Sequence, residues 1–207
     1  MPLSQPPPLR EDVVSVLESA QKLAFWIAER QDGLEIKREN SSRVPGALLD
    51  LCLEHQVGIV QLVTGRMNGS AFALIRPQFE ALIRALWLSL CASTEEIQIF
   101  VDKDYLPLYF GQMVEAIEKH DDFESKVLSG LKNAAWNAMH GYTHGGMHQI
   151  ARRLTGSSIE PSYESQEIIE VLKASGTFAL MALLHIGRLA SNEQVIADVS
   201  KRLSGEG

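Results

Sequence analysis

Apolar residues recur along this chain at intervals of three and four, the spacing that lines one face of an α-helix, and strand-type alternation is hard to find. After a disordered Pro-rich tail over residues 1–10, Val13, Val16, Leu17, Ala20, Leu23, Ala24 and Ile27 predict a first helix over Glu11–Gln31. Leu48, Leu51, Ile59 and Leu62, with His55 on the same stripe, predict a second from Val44 to Gly65. Asn68-Gly69 interrupts the pattern and leaves Ser70 to open a third helix that runs to Cys91. Ser93-Thr94-Glu95 supplies the next capping signal, for a shorter helix over Glu95–Lys103, and Pro107 suits the first turn of another that reaches Lys119. Ser125 opens a longer helix ended by Gly145-Gly146, and Met147–Leu154 predicts a short one closed by Gly156. A loop from Ser157 to Pro161 leads to a long helix over Tyr163–Ala190, and Asn192 caps the last, Glu193–Leu203. The expected fold is all-α without a sheet: a single domain over residues 11–207, built as a bundle of seven to nine helices.

Composition agrees, with 45% of the 207 residues apolar and 22% charged, enough for one sizeable core. The net charge of −7 provides no global positive field, so long nucleic acid is a disfavoured partner. Cys52 and Cys91 both fall within apolar helical patterns, which predicts buried thiols in a reducing compartment and excludes a disulfide framework. The opening MPLSQPPPLRED has prolines where a signal peptide needs an apolar stretch, and the most apolar run, Phe178 to Ile186, already contains His185. A cytoplasmic protein without a membrane segment is expected.

Charge is missing from one place. Between Asn133 and Ala151 there is no Asp, Glu, Lys or Arg, yet Asn133, Asn137, His140, Tyr142, Thr143, His144, His148 and Gln149 crowd the stretch. A solvated helix face normally carries Lys and Glu, whereas Asn, His and Thr are weaker helix formers used where a specific hydrogen bond is wanted. Asn133, Trp136, Asn137, His140 and His144 share one arc, opposite a core side of Leu128, Leu131, Ala135, Ala138 and Tyr142. This uncharged wall suits a buried hydrogen-bond network, an interface, or a site in which His140 and His144, one turn apart, address one small volume. His148 joins them only if the chain folds back past the glycines.

Charge is concentrated in another place. Between Gly69 and Ala92 the charged residues are Arg76, Glu80 and Arg84, four apart, in a helix that is otherwise apolar. The ladder is either a solvent stripe or a partly buried carboxylate held between two guanidinium groups, with one positive charge left to receive an anion. Pro77 removes a helix hydrogen bond to the Ala73 carbonyl, and that fault calls for a helix start or a local reason. Arg152-Arg153 suits surface, a cap on the Gly145-Gly146 turn or an extension of an anion site. No glycine-rich phosphate loop, G-x-S-x-G elbow or carboxylate-rich metal motif is present, so neither a cofactor nor a metal is expected.

RPQFEALIRALWL at 76–88 with MHGYTHGG at 139–146 resembles an uncharacterised family of bacterial helical proteins. The combination of an Arg/Glu helix and a His helix is also loosely similar to the HEPN group (higher eukaryote and prokaryote nucleotide-binding). That resemblance implies a metal-independent ribonuclease using an Arg and a His close together in sequence. Here the residues just before His140 and His144 are neutral, so the Arg would come from another helix, as Arg76 or Arg84.

Three functions follow. As a ligand-binding protein, the chain would hold a small anion or phosphate-bearing ligand with Arg76, Glu80, Arg84, Asn137, Tyr142 and His148. As an enzyme, His140 or His144 would take a proton while Arg76 and Arg84 stabilise developing charge. As an assembly module, the same residues would form a polar network across a homodimer. A metal held by His140, His144 and His148 is the weakest reading, because no acidic residue stands near to complete it.

Overall fold

The computed structural model describes residues 8–120, 123 and 126–205. Among these, the chain forms α1 (Glu11–Gln31), α2 (Asn40–Thr64), α3 (Asn68–Leu90), α4 (Thr94–Lys103), α5 (Phe110–Ile117), α6 (Val127–Thr143), α7 (Met147–Ala151), α8 (Ser165–Leu189) and α9 (Glu193–Leu203). The all-α expectation holds except at one point. Residues assigned to the end of a short helix and a loop instead make a hairpin, β1 (Leu154–Thr155) paired antiparallel with β2 (Ser158–Ile159) across Gly156-Ser157. Both strands are exposed, so turn chemistry rather than core packing decides this segment.

α3 is the central helix. Phe72, Ile75, Phe79, Leu82, Ile83 and Leu86 line one side of it, Ala81, Ala85 and Leu88 lie on the other, and all are buried. It packs on α2, α5, α6 and α8, while α1 lies across α8 and α2, and α9 lies on α8. The stripe of α3 that this packing leaves partly open is the one bearing Arg76, Glu80 and Arg84.

Capping signals place several ends as the sequence predicts. Ser93 and Glu96 form a reciprocal capping box on α4, and Asn192 accepts from the Val195 amide at the start of α9. Other ends move. α2 starts a turn before Val44, at Asn40, and carries Pro45 inside it; the carbonyl this proline leaves unpaired belongs to exposed Ser41, where water can take it. α5 starts at Phe110 rather than Pro107, because the Gln112 side chain caps the Tyr109 amide, and it ends at Ile117. The Ser125 helix start and residues 1–7 of the tail lie outside the described residues.

The expectation of two buried thiols is overturned at one of them. Cys52 is buried, with its thiol pushed up to about 12 by desolvation against a smaller lowering by Gln78, but Cys91 is exposed where α3 ends. Two helices are also long and apolar enough to cross a membrane, α2 and α8, with mean hydropathies of 1.2 and 1.4 over their best windows. Here both are bundle helices whose apolar faces, including Leu49 and Ile59 on α2 and Phe178 and Leu183 on α8, are covered by neighbouring helices.

Candidate functional site on helices α3 and α6

Glu80 sits between its two arginines. Its carboxylate accepts from Arg76 Nε at 2.7 Å and from Arg84 Nη2 at 3.0 Å, as four-residue spacing on one helix allows. The side chains are 15%, 19% and 39% exposed at Arg76, Glu80 and Arg84, so the ladder is half-buried rather than a solvent stripe.

The ladder meets the uncharged wall. α6 packs against α3, and the Arg76 guanidinium donates through Nη1 to Nδ1 of His140. The same guanidinium lies 4.3 Å from the centre of the Trp136 ring, and Phe110 of α5 stacks on that ring at 4.3 Å. Trp136 is thus engaged by a cation and by an aromatic ring at once. The His144 ring follows His140 at 4.6 Å. Because Nδ1 of His140 accepts from Arg76, its ring proton sits on Nε2, which makes His140 a donor toward solvent. Asn133, Asn137, His140 and His144 are all exposed, which removes the buried network from the three readings of the wall: it is open surface with Trp136 tucked beneath it.

Pro77 finds its local reason here. The Ala73 carbonyl, which Pro77 cannot bond, lies 3.1 Å from the Thr143 hydroxyl of α6, a group that also lies 2.9 Å from its own Met139 carbonyl. One hydroxyl proton is shared between the two acceptors, and the fault in α3 becomes a point of attachment for α6.

Tyr142 and His148 do not join this face. Tyr142 lies on the opposite side of α6, buried edge-on against Phe72, with centroids 5.0 Å apart. Gly145 adopts φ +66°, which turns the chain back so that α7 lies along α6, and His148 lands on Gly141, where a Cβ would meet its ring at 2.8 Å. The glycines of the HGYTHGG segment thus serve this fold-back. They carry His148 toward Tyr142 and away from His140, so the three histidines do not converge, and among the described residues no group of three or more His, Cys, Asp or Glu is arranged to hold a metal.

On that second side a different set assembles. Arg152 holds Glu167 through two hydrogen bonds, with Nε 2.9 Å from Oε2 and Nη2 on Oε1. Tyr163 donates to Gln149 at 2.9 Å, and Gln149 donates to the Gly69 carbonyl at 2.8 Å. Burial raises the Tyr142 hydroxyl above the usual phenol range, with a further push from Glu167 that Arg152 partly offsets. Sequence reasoning left Arg152 between surface, a turn cap and an anion site and did not single out Glu167; the partner is fifteen residues away across a hairpin, and no helical periodicity links them.

No curated protein and no solved structure matches the chain. A family model described as a family of unknown function, DUF6988, matches residues 49–204, from the first half of α2 to the end of α9, and the chain belongs to that family.

Proposed function

We propose that the α3/α6 face binds a small anion, with a phosphate group as the best match. The reading is carried by the contact between Arg76 and His140, which makes one surface of the Arg ladder and the His wall. Arg76, Glu80 and Arg84 sum to one positive charge. Arg76 is occupied by Glu80, His140 and Trp136 and acts as scaffold. The groups left for an anion are the more exposed Arg84, the Nε2 proton of His140 and the neighbouring His144. Trp136 is already engaged by Arg76 and Phe110, so the reading gives a base no stacking partner there, and a nucleotide would be held by its phosphate alone.

Titration with phosphate, pyrophosphate and AMP, followed by thermal shift and by histidine NMR signals, tests this reading. Phosphate and AMP should bind similarly at millimolar concentration, and Arg84→Ala should weaken both by about fivefold or more. No response to any of the three at that concentration overturns the proposal.

The alternative is a metal-independent ribonuclease of the HEPN kind, favoured by the presence of an Arg–His pair between helices. In that reading proton transfer falls to His144, since the acceptor nitrogen of His140 is taken. Cleavage of an oligoribonucleotide in EDTA that is lost in His144→Gln would establish it. The exposed, uncharged wall also suits a homodimer contact, which sedimentation with and without phosphate would reveal. An exposed free thiol at Cys91 supports a reducing compartment such as the cytoplasm.

A further inference from the structure

α6 and α8 both pack on α3, and neither packs extensively on the other. Between them lies a cleft of about 400 Å³, within the range of roughly 300–1,000 Å³ typical of small-molecule pockets. Its floor is Phe72 and Ile75, both buried, and its walls include Ala135 and Ala138 of α6 and Ala174 of α8, whose short side chains leave the space open. At the mouth stand Tyr142, His148, Arg152, Glu167 and Glu170. Other grooves on the bundle have similar volumes; this one combines a buried aromatic floor with polar groups converging on one end.

We propose that this cleft is a second ligand site, for a small organic cation with an apolar body. The charges at the mouth decide the sign. Arg152, the permanently charged cation among the lining residues, is tied to Glu167 through both side-chain nitrogens that face it, and Glu167 also accepts from the Glu164 amide at 3.1 Å. That pair is neutral and closed, and an incoming carboxylate would have to break it. Glu170, one turn further along α8, is exposed and takes a single hydrogen bond, from Gln166 at 3.0 Å. Its second oxygen is left for a ligand. The lining therefore sums to one negative charge, Arg152 against Glu167 and Glu170, beside the aromatic rings of Phe72 and Tyr142. An ammonium group at Glu170 with an alkyl or aryl body over Phe72 and Ile75 satisfies both the charge and the apolar surface. This site is independent of the anion face, which lies on the other side of α6.

The test uses three probes of one shape, hexylammonium, hexanoate and hexanol, titrated into the full chain and followed by backbone amide NMR. Hexylammonium should bind several-fold tighter than the other two and perturb α6 and α8 residues around Ala138 and Ala174. Glu170→Gln, at an exposed position that leaves the fold intact, should reduce that affinity by about fivefold. Ala174→Leu should fill the cleft and abolish binding of all three, with circular dichroism confirming that the helices remain. Hexanoate binding as tightly as hexylammonium, an unchanged affinity in Glu170→Gln, or no perturbation in the cleft by any probe at tens of millimolar would each overturn the proposal. A parallel phosphate titration of the same sample reports on the anion face separately.

Discussion

Arg76 divides one guanidinium among a carboxylate on its own helix, an imidazole on the next and the face of an indole, which fixes its plane. The carboxylate keeps this arrangement from repelling itself, because without Glu80 two cations would face each other along α3. Exposed pairs contribute up to about 1 kcal/mol, and breaking a fully buried one costs about 3–5 kcal/mol. With Glu80 at 19% exposure, Glu80→Ala should cost about 2 kcal/mol in urea denaturation, and Arg84→Ala, at the open end, less than half of that. The ladder was legible in the sequence because four-residue spacing places side chains on one helix face. The meeting of Arg76 with His140 was not, since it depends on how α6 is registered against α3, and nothing in either helix pattern records that. Tyr142 and His148 were grouped with the wrong partners although Tyr142, two positions past His140, already falls on the far side of a helix.

At the scale of helices, the α3/α6 pair shows how a local fault is made part of a packing surface. Pro77 leaves the Ala73 carbonyl without its helical donor, and Thr143 reaches it from across the interface. Thr143→Val should therefore cost about 1 kcal/mol in the native chain and less than half of that in a Pro77→Ala background, where α3 supplies its own amide. A double-mutant cycle measures the difference, and equal costs in the two backgrounds would show that the Thr143 hydroxyl does not answer the proline. The proline announced itself in the sequence, whereas Thr143, seventy residues on from the carbonyl it answers, did not. Helix ends were legible where a cap is local, as at Ser93 and Asn192. They were missed at Asn40, because α2 carries Pro45 inside it and begins a turn before the apolar stripe, and at Phe110, because Pro107 suggested a start that the Gln112 cap places three residues later.

For the whole molecule, α1 stands apart. It falls outside the matched family span of residues 49–204, yet Val13, Leu17, Ala20 and Ile27 are buried in the shared core. Its far end is fastened to α9, where Arg30 pairs with Asp198 at 2.9 Å and Trp26 lies under both Arg30 and Arg202. α1 is thus a wall of the bundle and not an appendage. Ile27→Ala should cost about 3 kcal/mol, as for a core position, with unfolding still cooperative in calorimetry. A change under about 1 kcal/mol would mark α1 as dispensable. α2 follows α1 directly, but the helix on which α1 packs most extensively comes late: α1 ends at Gln31 and α8 begins at Ser165, so 133 residues lie between them. At a synthesis rate of roughly 5–20 residues per second, the stripe of α1 leaves the ribosome about ten seconds before α8 exists to cover it. Through that interval Val13, Leu17 and Ile27 are apolar surface on a nascent chain, and chaperone occupancy of an arrested chain ending before Ser165 should fall when the stripe is made polar.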